Sequence, residues 1–414
     1  MPILFLRAVA MAAALLFALL PALAAAAPLS LDQALDLAVQ RSEAARAARA
    51  TVASASETAR AAGQLPDPML RAGIENLPIT GSDRLGSTAD SQTMKRIGIS
   101  QEWLSADKRA ARQAAADAAV GRQSIQTQAA IAQTRLQTAL AYADAYFAGE
   151  ALKLALQAEH HVHEELEASR VRLASSAGSS VDTLALTAQR GLAEDERAEA
   201  QQLQSTARLS LQRWVGLPAE ELSQASWPDL PSEESFVAAA PSVVSARQDI
   251  EVARRSAAVA ASERKPNWTW EVSYGQRTGY ADMVSFGVSI PLQLAPAERQ
   301  DRETAAKLAL VDKAEAELAE ATRAATADYR GFASDAQRLQ QRIDRYRSGV
   351  VTPAQQRTAA AMAAYASNQA SLAGVFEARH AEVELLRKLL DLQRDLARAQ
   401  AHLAFEPLPV GAPQ

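Results

Sequence analysis

The chain has 414 residues, a formal net charge of −5 at pH 7 and no cysteine. The lack of cysteine excludes disulfides, thiolate metal ligands, a cysteine nucleophile and the lipid-bearing cysteine of a lipoprotein. Because no basic run stands out, we expect no nucleic acid among the partners.

The first 27 residues have the pattern of a secretory signal peptide. Arg7 precedes an uncharged apolar run at residues 8–20, and small residues follow up to Ala27. A charge, a short apolar core and an A-x-A site are typical of export, and this core is shorter than the roughly 20 residues of a spanning helix. We therefore assign residues 1–27 to a signal peptide and expect the mature chain outside the cytoplasm.

The next part of the chain predicts a helix, two strands and two more helices. Strong helix formers run from Leu31 to Ala62. Apolar residues then alternate with polar ones at residues 70–75 and 96–103, as in strands. A stretch without proline from Ser105 to Ala174 would reach about 100 Å as a helix. A last helical pattern runs from Ser180 to Trp214, and the two shorter helices end to end would match the long one.

The second half repeats this order at an offset of about 190 to 200 residues. A helical pattern from Ser242 to Arg264 precedes alternating segments at residues 268–274 and 284–290. A stretch without proline from Ala297 to Thr352 and a helical pattern from Ser371 to Ala404 complete it. The second half falls somewhat short of the match between one long helix and two short ones, so that match stays open.

This recurrence predicts a tandem duplication, and four prolines between residues 218 and 241 mark the linker. We predict the following organisation: a first repeat at 28–217, a linker at 218–241, a second repeat at 242–406 and a tail at 407–414.

The four strand-like segments each have one apolar and one polar face and are about ten residues long, which suits a membrane-spanning strand. An open sheet edge in lipid leaves unpaired backbone groups, and four strands cannot close a barrel alone. Three chains would supply 12 strands with room for water inside, whereas two would give a filled barrel of eight. We therefore predict a homotrimer with a shared β-barrel; the alternative is a half-buried sheet in a soluble α+β protein.

The two faces of these strands give two sets of candidates. The charged residues on the polar face are candidates for facing the pore: Arg71, Glu75, Arg96, Glu102 and Glu271. The aromatic residues are candidates for belts at the lipid interfaces, or for packing on a soluble core: Trp103, Trp268, Trp270, Tyr274 and Tyr280. The stretches at residues 79–92 and 275–282 are predicted to be loops at the cell exterior.

Several motifs resemble one known family. These are Leu65-Pro66-Asp67-Pro68, Ile74-Glu75-Asn76-Leu77-Pro78, the run Ile97 to Glu102 followed by Lys108-Arg109, and the later Pro353, Tyr365 and Leu385 to Leu403. In this order they resemble the TolC-like outer-membrane efflux proteins, particularly the heavy-metal (CzcC/CusC-like) branch, over essentially the whole mature chain.

The resemblance implies a homotrimer with a 12-stranded barrel in the outer membrane of a Gram-negative bacterium and an α-barrel tunnel of long antiparallel helices in the periplasm. It implies a periplasmic adaptor and an inner-membrane pump of the RND type as partners, besides outer-membrane lipid. The expected function is the exit duct of a tripartite efflux pump, with heavy-metal cations as a candidate cargo. The alternative is an exported coiled-coil scaffold or adhesin without transport activity.

The helix turns at residues 175–179 and 366–370 are predicted to form the tip of the duct, with Gly178 ending one helix and Ser179 or Ser180 capping the next. Candidates for adaptor contact are Ala177, Gly178, Ser179, Val181, Asn368, Gln369, Ser371 and Leu372. Asp182 and Glu377 match by position the acidic residues of relatives near the tunnel mouth, and six such carboxylates in a trimer would form a cation-attracting gate. For Asp182 the alternative is a favourable charge in the first turn of a helix.

Catalytic and metal-binding patterns are weak. His160 and His163 lie one helical turn apart, but the neighbouring glutamates suggest a solvated face and no local residue completes a ligand set, so we assign no metal and leave His160, His161 and His163 open. The sequence lacks a Gly-rich phosphate loop, a G-x-S-x-G elbow and H-E-x-x-H, so we predict neither an enzyme nor a cofactor.

Overall fold

A computed structural model describes residues 28–409 except Ala89, Ser176, Ala177 and Asn368. The predicted signal peptide, residues 410–414 of the predicted tail, and the tip candidates Ala177 and Asn368 therefore lie outside the described residues.

The described chain is mainly helical with four strands, as predicted. Its elements are α1 (Leu31–Arg41), α2 (Glu43–Ala62), β1 (Met69–Glu75), β2 (Met94–Trp103), α3 (Ala106–Ala174), α4 (Ser180–Val215), α5 (Glu233–Ala239), α6 (Pro241–Ser262), β3 (Trp268–Gln276), β4 (Met283–Ser289), α7 (Gln300–Tyr346), α8 (Thr352–Ala366) and α9 (Leu372–Phe405). Across the described residues, we find no helix with an apolar stretch long enough to cross a membrane.

The helix predicted from Leu31 to Ala62 is two helices, because the chain breaks at Ser42. Its extended backbone ends α1, and its hydroxyl accepts a hydrogen bond of 3.1 Å from the backbone N–H of Ala45, which caps α2. The same hydroxyl lies 3.1 Å from the Thr134 hydroxyl on α3. Serine in this position satisfies a backbone donor that the first turn leaves without a helical partner.

The sequence suggested that the second long helix ends at Thr352, but the helical backbone continues past this residue. A π-helical turn at Arg347–Val351 joins α7 to α8, and the Thr352 N–H donates to the Arg347 carbonyl five residues earlier. Pro353 then falls in the first turn of α8, a position where helices tolerate proline. Helical backbone therefore continues to Ala366. The second long helical segment is thus nearly as long as α3, which has 69 residues.

The four strands form one antiparallel sheet in the order β1-β2-β3-β4. Trp103 of β2 lies opposite Trp268 of β3, and Arg71 of β1 lies opposite Gly98 of β2. β1 and β4 each have 7 residues, shorter than the predicted ten, whereas β2 has 10. Both end strands present an edge without a neighbour among the described strands.

The chain divides into two compact units, each with residues from both predicted repeats. Of the described residues, the first unit contains 28–41, 138–226 and 343–394, and the second contains 42–137, 227–342 and 395–409. The four strands belong to the second unit. The repeat boundaries remain a prediction, although the helix–strand–strand–helix order does recur.

Each unit has its own core. In the first, the fully buried Tyr142 places its hydroxyl 2.7 Å from the carbonyl oxygens of Leu29 and Ser223. In the second, Phe236 and Leu403 pack together with two alanines. Phe236 belongs to α5, a short helix within the predicted linker, so this part of the linker helps to build the core.

Candidate functional site: the sheet faces and the helix-tip groove

A chain of ion pairs covers part of the polar face of the sheet. Arg96 lies 2.6 Å from the Glu75 carboxylate and 3.3 Å from that of Glu271, which in turn lies 3.2 Å from Arg71. The Arg96 guanidinium also donates to the Ser273 hydroxyl at 2.7 Å. Two arginines and two glutamates from three strands therefore balance each other on one face.

Glu102 lies on the same face by its register but not in this chain. Its carboxylate accepts a hydrogen bond of 2.7 Å from the Asn267 amide. The structure thus brings four of the five predicted pore-facing candidates together, and their role in a pore remains a proposal.

The opposite face of the sheet is apolar and exposed. Phe286 is 81% exposed, Leu70 is 70% exposed, and the predicted belt residues Trp103, Trp268, Trp270, Tyr274 and Tyr280 are also exposed. The rings of Trp103 and Trp268 lie 6.2 Å apart. A half-buried sheet of a soluble protein would cover this face with its own core, which is not observed in the described part of the chain. Contiguous exposed apolar surface marks contact with lipid or with another protein.

A buried ammonium group connects the sheet to the helices beside it. Lys108, in the first turn of α3, is 1% exposed, and its ammonium donates to the Glu263 carboxylate at 2.8 Å and to the Asn267 side chain at 2.7 Å. Arg112 adds a second cation 3.1 Å from Glu263. Burial opposes ionisation of Glu263, but these two cations outweigh it and hold the pKa of this carboxyl below its usual value. Sequence reasoning noted Lys108 as part of a motif but gave no reason to expect it to be buried.

The tip turns explain why three of the candidates have their residue types. A Cβ added to Gly178 would lie 2.6 Å from the backbone nitrogen of Leu173, so this close approach requires glycine. The Ser179 hydroxyl accepts from the Asp182 N–H and caps α4, and the Ser371 hydroxyl accepts from the Gly374 N–H at the start of α9. By these matched caps, Asp182 in the first half corresponds to Gly374 in the second.

Asp182 and Glu377, the two gate candidates, line one groove of the first unit. This helix-tip groove has a volume of about 270 Å³ and lies between α3, α4 and α9. Asp182 is exposed in the first turn of α4, and the Glu377 carboxylate lies 3.0 Å from Arg357. The structure thus brings the two candidates to the same surface, and their role as a gate remains a proposal.

The groove also contains a buried ion pair that the sequence did not indicate. Glu165 of α3 has only 8% of its side chain exposed and accepts a hydrogen bond of 2.9 Å from Arg379 of α9. Burial raises the pKa of Glu165 to about 7, although Arg379 opposes this rise. The two residues are separated by 214 positions, so no local pattern could have paired them.

The three histidines do not converge. His160 and His163 line a small depression with Glu159 and Arg190, whereas His161 faces the helix-tip groove. His160 lies 3.3 Å from Glu164. Within residues 28–409, apart from the four gaps named above, no three His, Cys, Asp or Glu residues are arranged to hold a metal ion.

The fold closely matches solved outer-membrane proteins. VceC from Vibrio cholerae superposes with a TM-score of 0.73 at 18% identity, covering 91% of this chain and 96% of that one. CusC, a protein that forms a transmembrane channel, superposes with a TM-score of 0.74 at 15% identity, covering 91% of this chain and 92% of that one. The open-state MtrE outer-membrane channel from Neisseria gonorrhoeae gives 0.76 at 17% identity, with 91% and 88% covered. The chain has the TolC-like outer-membrane channel fold.

The resemblance inferred from the motifs is thereby confirmed for the TolC-like fold. Its assignment to the heavy-metal branch has no specific support, because VceC, CusC and MtrE superpose almost equally well, with TM-scores of 0.73, 0.74 and 0.76. No family model and no curated protein matches the chain.

Proposed function

We propose that this protein is the outer-membrane exit duct of a tripartite efflux pump and acts as a homotrimer. The observation that carries the proposal is the sheet: its apolar face is exposed, its polar face is lined by ion pairs, and its two end strands have free edges. In lipid, free strand edges are costly, so each end strand needs a partner from another copy. The TolC-like channel fold supports this assignment, because VceC is an outer-membrane protein and MtrE is an outer-membrane channel.

The trimer is testable with engineered cysteines, since the natural chain has none. Single cysteines along β1, such as Leu70→Cys, combined with single cysteines along β4, such as Phe286→Cys, form disulfides between copies where the two edges pair. We expect a ladder of cross-linked species that ends at three chains in denaturing gels, and a trimer mass in detergent. A stable monomer, or a ladder that ends at an even number, contradicts the shared barrel. As a control, the β1 cysteine is replaced by a cysteine on β2, which is an inner strand of the sheet. This variant should give no cross-links between copies.

The orientation follows from the loops at the far ends of the strands. The predicted exterior loop at 79–92 lies between β1 and β2, and the second loop predicted to be exterior is shortened to 277–282, because residues 275–276 still belong to β3. We propose that both face the cell exterior and that the turns after α3 and α8 face the periplasm. An epitope inserted at Ser87 is then labelled on intact cells, whereas labelling only after permeabilisation of the outer membrane reverses the topology.

We further propose that a periplasmic adaptor and an RND-type inner-membrane pump meet the helix tips, where Gly178, Ser179, Val181, Gln369, Ser371 and Leu372 are the described contact candidates. The duct is passive and performs no catalysis, so cargo selection belongs to the pump, and heavy-metal cations are one candidate cargo. Sensitivity of a deletion strain to metals and to organic drugs, with and without the gene restored, separates these cargo classes. Fractionation tests the scaffold or adhesin alternative: a channel stays with outer membranes until detergent is added, whereas a scaffold is removed by high salt.

A further inference from the structure

The helix-tip groove of the first unit combines apolar walls with an excess of carboxylates. Leu186 and Phe376 contribute to its walls, and Glu165, Asp182 and Glu196 contribute carboxylates. The guanidinium of Arg379 is the one Lys or Arg group among the described lining residues, and it is already bound to Glu165. Glu377 also lines the groove, but its charge is balanced by Arg357 outside it. Asp182 and Glu196 thus remain as carboxylates that form no ion pair with any described residue of the groove.

The buried carboxylate shows that the groove is more than an acidic surface. Glu165 is 7% exposed, and its neighbour Leu186 is 4% exposed, so charged and apolar groups share one desolvated region. Glu165 already has Arg379 as its cation, so a bound cation would face Asp182 and Glu196 in the same groove, where electrostatic attraction is screened less than in bulk water. Apolar pockets with a few convergent charged groups of perturbed pKa are typical of small-molecule sites.

The size of the groove and the chemistry of its lining restrict the kinds of ligand that it can bind. A volume of about 270 Å³ suits a molecule of small-ligand size and is too small for a packed helix. A bare metal ion is disfavoured, because no three acidic or histidine side chains in the described part of the chain converge on one point. An anion would face the uncompensated carboxylates.

We propose that the helix-tip groove binds a small amphiphilic organic cation, with its apolar body against Leu186 and Phe376 and its charged group among the carboxylates. The site lies within one protomer and one compact unit. It therefore goes beyond the proposed duct function and does not depend on it.

Benzyltrimethylammonium is a suitable probe, because it carries a permanent charge on an apolar body and does not titrate with the protein. Benzenesulfonate is the matched probe, with a similar ring and the opposite charge. Both are titrated calorimetrically into the full-length protein held in amphipol, which avoids partition of the probes into detergent micelles. We expect the cation to bind at least about tenfold more tightly than the anion, a difference of about 1.4 kcal/mol.

Two substitutions locate the binding. Asp182→Asn removes one exposed carboxylate of the groove and is expected to weaken cation binding about three- to tenfold. Glu167→Gln is the control: Glu167 is on the same helix as Glu165 and is half exposed, but it pairs with Arg170 and does not line the groove. Because Asp182 is exposed, its substitution tests the site even where Glu165→Gln fails to assemble.

The proposal is overturned by equal affinity for the two probes, by no detectable cation binding to the assembled protein, or by an equal loss with Glu167→Gln and Asp182→Asn. None of these results bears on whether the protein forms a trimeric duct, which the cysteine cross-links test separately.

Discussion

Replacement of Lys108 by methionine tests whether the buried ammonium holds the sheet to its helices. Methionine keeps the apolar stem but removes the charge and its hydrogen bonds to Glu263 and Asn267. Removing one partner of a buried ion pair costs about 3 to 5 kcal/mol when the other charge is left unpaired. Here Glu263 keeps Arg112 and is one-third exposed, so we expect the lower end, about 3 kcal/mol.

Lys265 provides a matched control in the same region. It pairs with Asp107, the residue before Lys108, but 64% of the Lys265 side chain and 71% of the Asp107 side chain are exposed. Pairs so exposed contribute little to stability because water and salt screen them. Lys265→Met should therefore leave stability unchanged within error, although it removes the same charge from almost the same place.

The assay is guanidinium-induced unfolding of the assembled protein in detergent, followed by tryptophan fluorescence. Trp103 and Trp268 lie close together at the ends of β2 and β3, near Asn267, so their emission reports on this region. We expect a lower midpoint for Lys108→Met only. Equal midpoints for the two variants would refute the argument that burial decides the effect. A double-mutant cycle with Glu263→Gln should give a coupling energy of about 1 to 2 kcal/mol.

Three further outcomes follow from the same structure. Because burial raises the folded pKa of Glu165 to about 7, above its unfolded value, ionisation of this carboxyl lowers stability as pH rises through 7. Glu165→Gln loses the partner of Arg379 at every pH but removes this ionisation cost, so its stability relative to the unsubstituted protein should increase from pH 5 to pH 8 by up to about 3 kcal/mol, as differences in Tm will show. Gly98→Ala should disrupt the pairing of β2 with β3 and lower trimer yield, because its Cβ would lie 2.7 Å from that of Ser273, whereas Gly73→Ala meets no atom within 4 Å and serves as control. In planar bilayers, replacement of both Asp182 and Glu377 by alanine should reduce cation preference; unchanged selectivity in an intact trimer would leave them as ordinary helix residues.

The helices and strands could be predicted because their signals are local. Composition and the lack of proline indicate α3 almost to the residue, from Ser105 against the observed Ala106. Alternation of apolar and polar residues indicates the strands and their two faces, since side chains point to opposite sides of a sheet with a period of two. The exposed Phe286 and the ion-paired Arg96 lie on the faces that this alternation predicts.

The helix break at Ser42 and the helix continuation past Pro353 were harder to predict, because they depend on tertiary contacts or on one unusual turn. Ser42 ends a helix in the middle of a continuous helical pattern, and its hydroxyl contacts Thr134, far away in sequence. Pro353 suggested a helix end, since proline usually stops a helix, but the chain passes through a π-helical turn just before Pro353 and remains helical after it. A single sequence carries no signal for such a turn.

For the candidate site, too, the sequence predicted the residue types but not how the residues pair. The polar-face arginines and glutamates were found from alternation, but their arrangement into a chain of ion pairs has a consequence that residue types alone do not give. Two arginines and two glutamates cancel within this chain of ion pairs, so these four residues contribute no net charge, whereas Glu102 on the same face pairs with the neutral Asn267 amide. The helix-tip groove differs, because Arg379 is bound to Glu165 and no other Lys or Arg among the described lining residues faces Asp182 or Glu196. Fixed charges discriminate between ions only where they are not neutralised by a neighbour. Any selectivity for cations in this protein is therefore expected to come from the helix tips and from Glu102, and not from the four paired residues, and substitutions among those four that keep their charges balanced should leave it unchanged.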